Sequence, residues 1–185
     1  GQPLDSELSR QVTALGQVFG KETEADQLVS DFNAALERAK SAYDGSSKVM
    51  AVDVSGGEIG YVAPKVGRTW GPLYDLLGLT PALDDVVGTD SHTGDDISVE
   101  KIADSNPEWI LVLDRDGAIS ADKDDYTPAE DVIAGNSALQ NVPAVTKGQV
   151  IYAPKDTYTN ESIITYTEIL SSMADALEAA KTSKG

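Results

Sequence analysis

No cysteine occurs in the chain, which removes disulfides, thiolate catalysis and zinc–thiolate centres together. Histidine is nearly as scarce. His92 is the single one, so a metal site built on several imidazoles is excluded and a Ser-His-Asp triad has one candidate base. No apolar run approaches the roughly 18–20 residues needed to span a membrane. Positive charge is thin: 14 Lys and Arg stand against 31 Asp and Glu, a formal net charge of −17. Nucleic acid and anionic membranes are gripped through basic patches, so neither is expected as a partner. The start, Gly1-Gln2-Pro3-Leu4-Asp5, has neither the basic nor the apolar region of a signal peptide, which leaves a cytoplasmic protein or a mature piece without its leader.

Several catalytic and nucleotide motifs are also missing. Gly56-Gly57-Glu58-Ile59-Gly60 is not a GxGxxG fingerprint, and no GxxxxGK[ST] or GxSxG occurs. Asp122-Lys123-Asp124-Asp125 lacks the glycine and distal glutamate of an EF-hand. Asp90, His92, Asp95 and Asp96 form a candidate metal cluster or an acidic solvated loop, within a polar stretch running from Asp84 to Asp96.

What is present is an ordinary folded composition, 41% hydrophobic and 24% charged, in 185 residues, enough for one domain with a helical appendage. Its organising stretch is Glu108 to Gly117. Five apolar residues, Trp109 to Leu113, read as a strand buried on both faces, as in the middle of a parallel sheet. Arg115, one of only four arginines, follows in the exit loop, where ligands of open α/β sheets bind. It either faces a ligand or pairs with Asp114 or Asp116 in a solvated turn.

Helical spacing predicts helices over residues 5–19 (Leu8, Val12, Leu15, Phe19) and 22–43 (Ala25 through Phe32 to Tyr43), the second about 30 Å long at the usual rise. Lys48–Val54 and Ile59–Val62 read as strands around a Ser55-Gly56-Gly57 turn, and Gly71–Leu77 as a short helix with Pro72 in its first turn. Ile97–Ile102 opens another, with Ser98 as N-cap. Thr127 and Glu130 have capping-box spacing, Asn136–Leu139 is a further helical piece, Gln149–Ala153 a strand and 162–180 a final helix. The alternation predicts an α/β fold with a mostly parallel sheet flanked by helices.

The loops after three of these strands hold Arg68, Arg115 and Tyr158. If the strands are parallel neighbours, these side chains meet at one sheet edge, where two guanidiniums and a phenol make an anion site. The overall negative charge does not forbid this, because carboxylates beyond a Debye length of about 8 Å are screened.

In sequence, Pro64-Lys65-Val66-Gly67-Arg68-Thr69-Trp70-Gly71-Pro72-Leu73-Tyr74-Asp75-Leu76-Leu77-Gly78 resembles the loop and helix of iron-siderophore substrate-binding proteins of ABC importers. Thr89–Gly94, Ile97–Ile102, Asn106–Ile110, the triplet Asp114-Arg115-Asp116, Ala138–Val145 and Lys147–Pro154 continue the resemblance in order, nearest to the ferric catecholate type. The resemblance implies the Rossmann-like C-terminal lobe of a two-lobe, helical-backbone solute-binding protein, with residues 1–45 as an interlobe helix region and 46–185 as the ligand-binding lobe. It puts the cleft arginines at Arg68 and Arg115, residues able to complete an iron shell at His92 and Tyr158, and a permease-docking acid at Asp75. The sequence departs from the family's aromatic-rich pattern at Asp156-Thr157-Tyr158-Thr159-Asn160. The implied protein is a monomeric, extracytoplasmic, non-enzymatic binder, periplasmic or lipoprotein-anchored. It has no permanent cofactor, takes a ferric siderophore as ligand, and has an ABC permease as partner. Haem or a corrinoid is the alternative ligand, and an α/β enzyme using His92 the alternative class.

Overall fold

Two helices lead the chain in the computed structural model, which describes residues 3–83 and 88–182. Positions 84–87, the beginning of the acidic stretch, and the first two residues of the Gly1–Asp5 start lie outside the described residues. Helix α1 (Leu4–Phe19) ends at a left-handed Gly20, and α2 (Glu22–Ala42) follows, close to the expected spans. The stripe on α2 is buried from Ala25 through Phe32, Ala35, Leu36 and Ala39 to Ala42. The α1 stripe behaves differently: Leu8 is buried, whereas Leu15 and Phe19 are 55% and 71% exposed.

The sheet begins with β1 (Lys48–Ser55), whose interior is buried. Gly56 and Gly57, at φ 61° and 75°, form a two-residue turn in the backbone region that suits a tight hairpin. It returns β2 (Glu58–Tyr61) antiparallel to β1. Next come α3 (Gly71–Leu77) and β3 (Thr80–Pro81), which pairs parallel with the start of β1. In α4 (Val99–Asp104), Ser98 caps as its spacing predicts, its Oγ accepting from Lys101 N–H at 3.2 Å. Strand β4 (Trp109–Asp114) lies parallel to β1 on one side and to β5 (Val150–Tyr152) on the other. All six β4 residues are buried, as a central apolar strand requires. Strand order is β2-β1-β4-β5 with β3 beside β1, so the sheet is mostly parallel with one antiparallel hairpin.

Side-chain alternation assigns the two faces. Met50, Val52, Val54, Ile110 and Val112 pack into a core with Ile102, Ile133, Leu139 and Val142. The opposite face carries Asp53, Ser55, Leu111 and Leu113.

Some local readings change. Arg115 opens a short helix, α5 (Arg115–Ile119), instead of lying in a loop. The Thr127/Glu130 capping box does not form, because α6 (Ala129–Gly135) starts without a side-chain cap of its own and Ala129 N–H donates to Asp114 Oδ2 at 3.1 Å. A short α7 (Pro143–Thr146) and the two-residue β3 are additions. Each is shorter than a periodic pattern needs to register.

The final helix, α8 (Ile163–Thr182), buries Ile163, Tyr166, Leu170, Met173 and Leu177, the stripe its spacing predicts. It packs along α2, and Arg38 reaches Asp175 at 2.6 Å and Glu178 at 2.5 Å on the exposed side. The chain divides into two compact units, Gly1–Tyr43 with Asn160–Gly185, and Asp44–Thr159. Helix α8 falls in the first unit with the leading helices. No helix of the described residues is long and apolar enough to cross a membrane.

Candidate functional site

The end of β4 is built around a carboxylate. Asp114 is 8% exposed. Its Oδ1 accepts from Gly117 N–H at 2.7 Å and its Oδ2 from Tyr126 Oη at 2.7 Å and Ala129 N–H. It therefore caps α5 and draws in the start of α6. Burial and then this bond to Asp114 push the Tyr126 phenol up to about 12. Asp116 is engaged differently, accepting from Gly56 N–H and, at 3.2 Å, from Arg115 Nη1. The same Nη1 donates to Ser55 Oγ at 3.2 Å. Of the two carboxylates flanking Arg115, Asp116 thus pairs with it and Asp114 organises the backbone. The Arg115 side chain stays 27% exposed. The Tyr158 hydroxyl first, and Asp116 to a lesser extent, hold its guanidinium above its ordinary value, so it stays cationic. A cavity of about 380 Å³ opens beside it, lined by Ser55, Gly56, Asp116, Lys123 and Tyr126 among others.

Arg68 comes from the loop between β2 and α3. That loop is closed by Gly67 N–H to Ala63 O at 2.9 Å and Lys65 N–H to Gly71 O at 2.9 Å. It is anchored by Trp70, which is fully buried, and Lys65 and Thr69 take positive φ values of 72° and 59° around Arg68. Backbone in that sparsely populated region persists only where its surroundings enforce it. The guanidinium so presented donates from Nη2 to the Tyr158 carbonyl at 2.8 Å, and its Cζ stands 4.3 Å from the centre of the Tyr158 ring. Arg115 Cζ lies 5.2 Å from the same centre. Both distances are within cation–π range.

His92 joins the cluster by a contact of 3.0 Å between Arg68 Nη1 and His92 Nδ1. A guanidinium only donates, so Nδ1 accepts and the neutral ring carries its proton on Nε2. Coordination of a metal by this ring requires the Arg68 contact to open. Tyr61 and Asp95 hold the His92 segment in place, exchanging backbone bonds of 2.9 and 2.7 Å. Gly60 lets the segment approach, since a Cβ there would stand 2.1 Å from Thr93 O. Asp95 is committed to Thr89, through N–H at 2.8 Å and Oγ1 at 2.6 Å. No group of three or more His, Cys, Asp or Glu side chains among the described residues is arranged to hold a metal ion.

Arg68, Arg115, Tyr158 and His92 are thus brought together within the sheet unit. Asp75 is elsewhere on α3, with its side chain 66% exposed and 3.4 Å from Lys65 Nζ. The residue sequence reasoning missed is Asp53, 1% exposed on β1, with its carboxyl raised to about 7, chiefly by burial and against the pull of Arg115 and Arg68. An acid inside the apolar run Lys48–Val54 was the available signal.

Residues 2–157 match the family described as periplasmic binding protein. Among curated proteins, the chain is 27% identical over 167 residues to the petrobactin-binding protein YclQ of Bacillus subtilis (strain 168), covering 89% of this chain and 50% of that protein. It is 26% identical over 165 residues to the ferric-anguibactin-binding protein FatB of Vibrio anguillarum, covering 88% of this chain and 49% of the other. The crystal structure of YclQ superposes with a TM-score of 0.77 at 23% identity, covering 94% of this chain and 59% of that one. The chain spans about half the length of the curated relatives it matches.

Proposed function

This chain belongs to the periplasmic binding protein family, and we propose that it forms the lobe of a solute-binding protein that captures a ferric siderophore and hands it to an ABC permease. The observation that carries this reading is the convergence of Arg68 and Arg115 on Tyr158 in an otherwise acidic chain. A ferric catecholate is a bulky polyanion with an aromatic periphery. Two guanidiniums offer it charge-assisted hydrogen bonds, and the tyrosine ring offers a stacking face. Paired guanidiniums beside an aromatic ring suit the holding of an anion, which supports a binding role.

His92 and Tyr158 supply an imidazole and a phenol to an iron that its siderophore leaves incompletely coordinated. The iron is cargo and leaves with the ligand. The exposed carboxylate of Asp75 on α3 is the group proposed to meet a basic residue of the permease. The helices of residues 1–45 would serve as the interlobe support. The names of the relatives, which bind petrobactin and ferric anguibactin, support the ligand class, and the family supports an extracytoplasmic location. Anchoring as a lipoprotein and a monomeric state belong to the same proposal.

The test is quenching of tryptophan fluorescence in the full-length protein by a preformed ferric tris-catecholate. Binding should weaken at least about a hundredfold in the Arg68→Ala, Arg115→Ala double variant, from roughly 1.5–3 kcal/mol for each charged hydrogen bond. Unchanged affinity in that variant would sink the site assignment.

A further inference from the structure

Asp53 occupies an unusual position. Its partners in register are Gly60 on β2 and Leu113 on β4, and neither offers a charge or a side-chain donor. Its Oδ1 is buried with no hydrogen-bond partner among the described residues. A carboxylate held this way is costly while ionised unless charge nearby compensates it. Alternation along β1 puts Asp53 on the same face as Ser55, whose hydroxyl accepts from Arg115. Four charged groups act on it: Arg115 and Arg68 favour its ionised form, and Asp116 and Asp114 oppose it. The two cations that offset its burial are therefore the two that make up the anion site.

We propose that Asp53 is the charge-balancing residue of this site: when an anion seats on Arg68 and Arg115, Asp53 takes up a proton from solvent, and ligand binding is coupled to proton uptake. This rests on the anion-site reading above and adds its regulation. The step is simple in its balance. One O–H bond forms on the Asp53 carboxylate, the buffer gives up one proton, and no electrons are exchanged. The cause is competition, because an anion on the guanidiniums cancels the field that keeps Asp53 ionised while its burial remains. Asp53 touches no ligand and acts through the arginines, so it is a positioning residue.

The sign follows from linkage. Free Asp53 titrates at about 7, and an occupied site raises it further. Affinity therefore rises as pH falls from the occupied value towards about 7, and levels off below, where Asp53 is protonated in both states.

The experiment is isothermal titration calorimetry of the full-length protein with a preformed ferric tris-catecholate of a synthetic tripodal ligand. Run at about pH 7.5 in phosphate and in Tris, which differ in ionisation enthalpy, it counts the protons exchanged. The wild type should take up a sizeable fraction of one proton per ligand, and Asp53→Asn should take up fewer by about that fraction. Wild-type affinity should rise about three- to tenfold between roughly pH 8.5 and 7, relative to Asp53→Asn. Difference infrared spectroscopy of the wild type needs no variant: ligand addition should produce a protonated-carboxyl band. Binding without that band, or a proton count the same in Asp53→Asn, overturns this proposal and leaves the anion site standing. No binding by the wild type overturns both.

Discussion

Arg68 holds Tyr158 at two points, donating to its carbonyl at 2.8 Å while its guanidinium lies 4.3 Å from the centre of its ring. The backbone bond fixes where the 3-10 turn Thr157–Thr159 sits, and the stacking fixes where its ring faces. Tyr158→Ala keeps the first contact and removes the second. Titration with a ferric tris-catecholate should then show about tenfold weaker binding, the size of a partly desolvated cation–π contact. Tyr158→Phe keeps the ring and should stay within about threefold of wild type if stacking is its role. A loss in Phe as large as in Ala would instead assign the contribution to the Tyr158 hydroxyl, which also bonds Arg115.

Asp114 binds three donors from one buried position, so its removal leaves Gly117 N–H, Tyr126 Oη and Ala129 N–H without their acceptor. Asp114→Ala should lower unfolding free energy by about 2–4 kcal/mol in urea. Tyr126→Phe, which deletes one of the three bonds, should cost about 1 kcal/mol. Equal costs for the two would contradict Asp114 as the organising acceptor.

Gly60 allows the His92 segment to lie against β2. Gly60→Ala would put a methyl group 2.1 Å from Thr93 O, and a backbone atom cannot swing aside as a flexible side chain can. The expected cost is about 1–3 kcal/mol, with weaker ligand binding because His92 and Arg68 no longer meet. Thermal unfolding and titration of one sample check both, and an unshifted midpoint would refute the close approach.

Burial of Asp53 also makes stability depend on pH. Its folded value of about 7 lies above the ordinary 3.8, so the folded state binds this proton more tightly than the unfolded state. Its contribution is complete below about pH 4 and is lost as pH rises through about 7. Asn cannot ionise, so Asp53→Asn should match wild type near pH 4 and be more stable above pH 7, by at most about 4 kcal/mol. Urea unfolding of both proteins at the two pH values decides it, and a variant less stable than wild type at high pH would contradict the account.

Much of this was readable in the chain. Trp109–Leu113 announced a central strand because a strand covered on both faces needs uninterrupted apolar side chains. Arg115 was expected at its carboxyl end, and a helix starting there keeps it at that end while turning it toward Ser55. The convergence with Arg68 was reached by partly different geometry than expected. β2 runs antiparallel, and the loop after it, held by bonds at Gly67, Lys65 and Gly71, brings Arg68 to Tyr158. The Thr127/Glu130 box failed because a distant carboxylate, Asp114, supplied the acceptor first. Local patterns cannot register such competition.

By itself, the sequence determined the longer helices and the central strands, since those depend on the spacing of apolar residues a few positions apart. It also set the kinds of chemistry on offer: no thiol, one imidazole, four guanidiniums. Only the tertiary structure decided which of them meet. Residues 53, 68, 92, 115 and 158 come from separate segments, and their approach follows from strand register, the close approach at Gly60 and the partnering of Asp114 and Asp116. Asp53 shows the difference most sharply. As one acid in a strand it could be solvated or buried, and its burial beside two arginines is what makes it a candidate control point for the site.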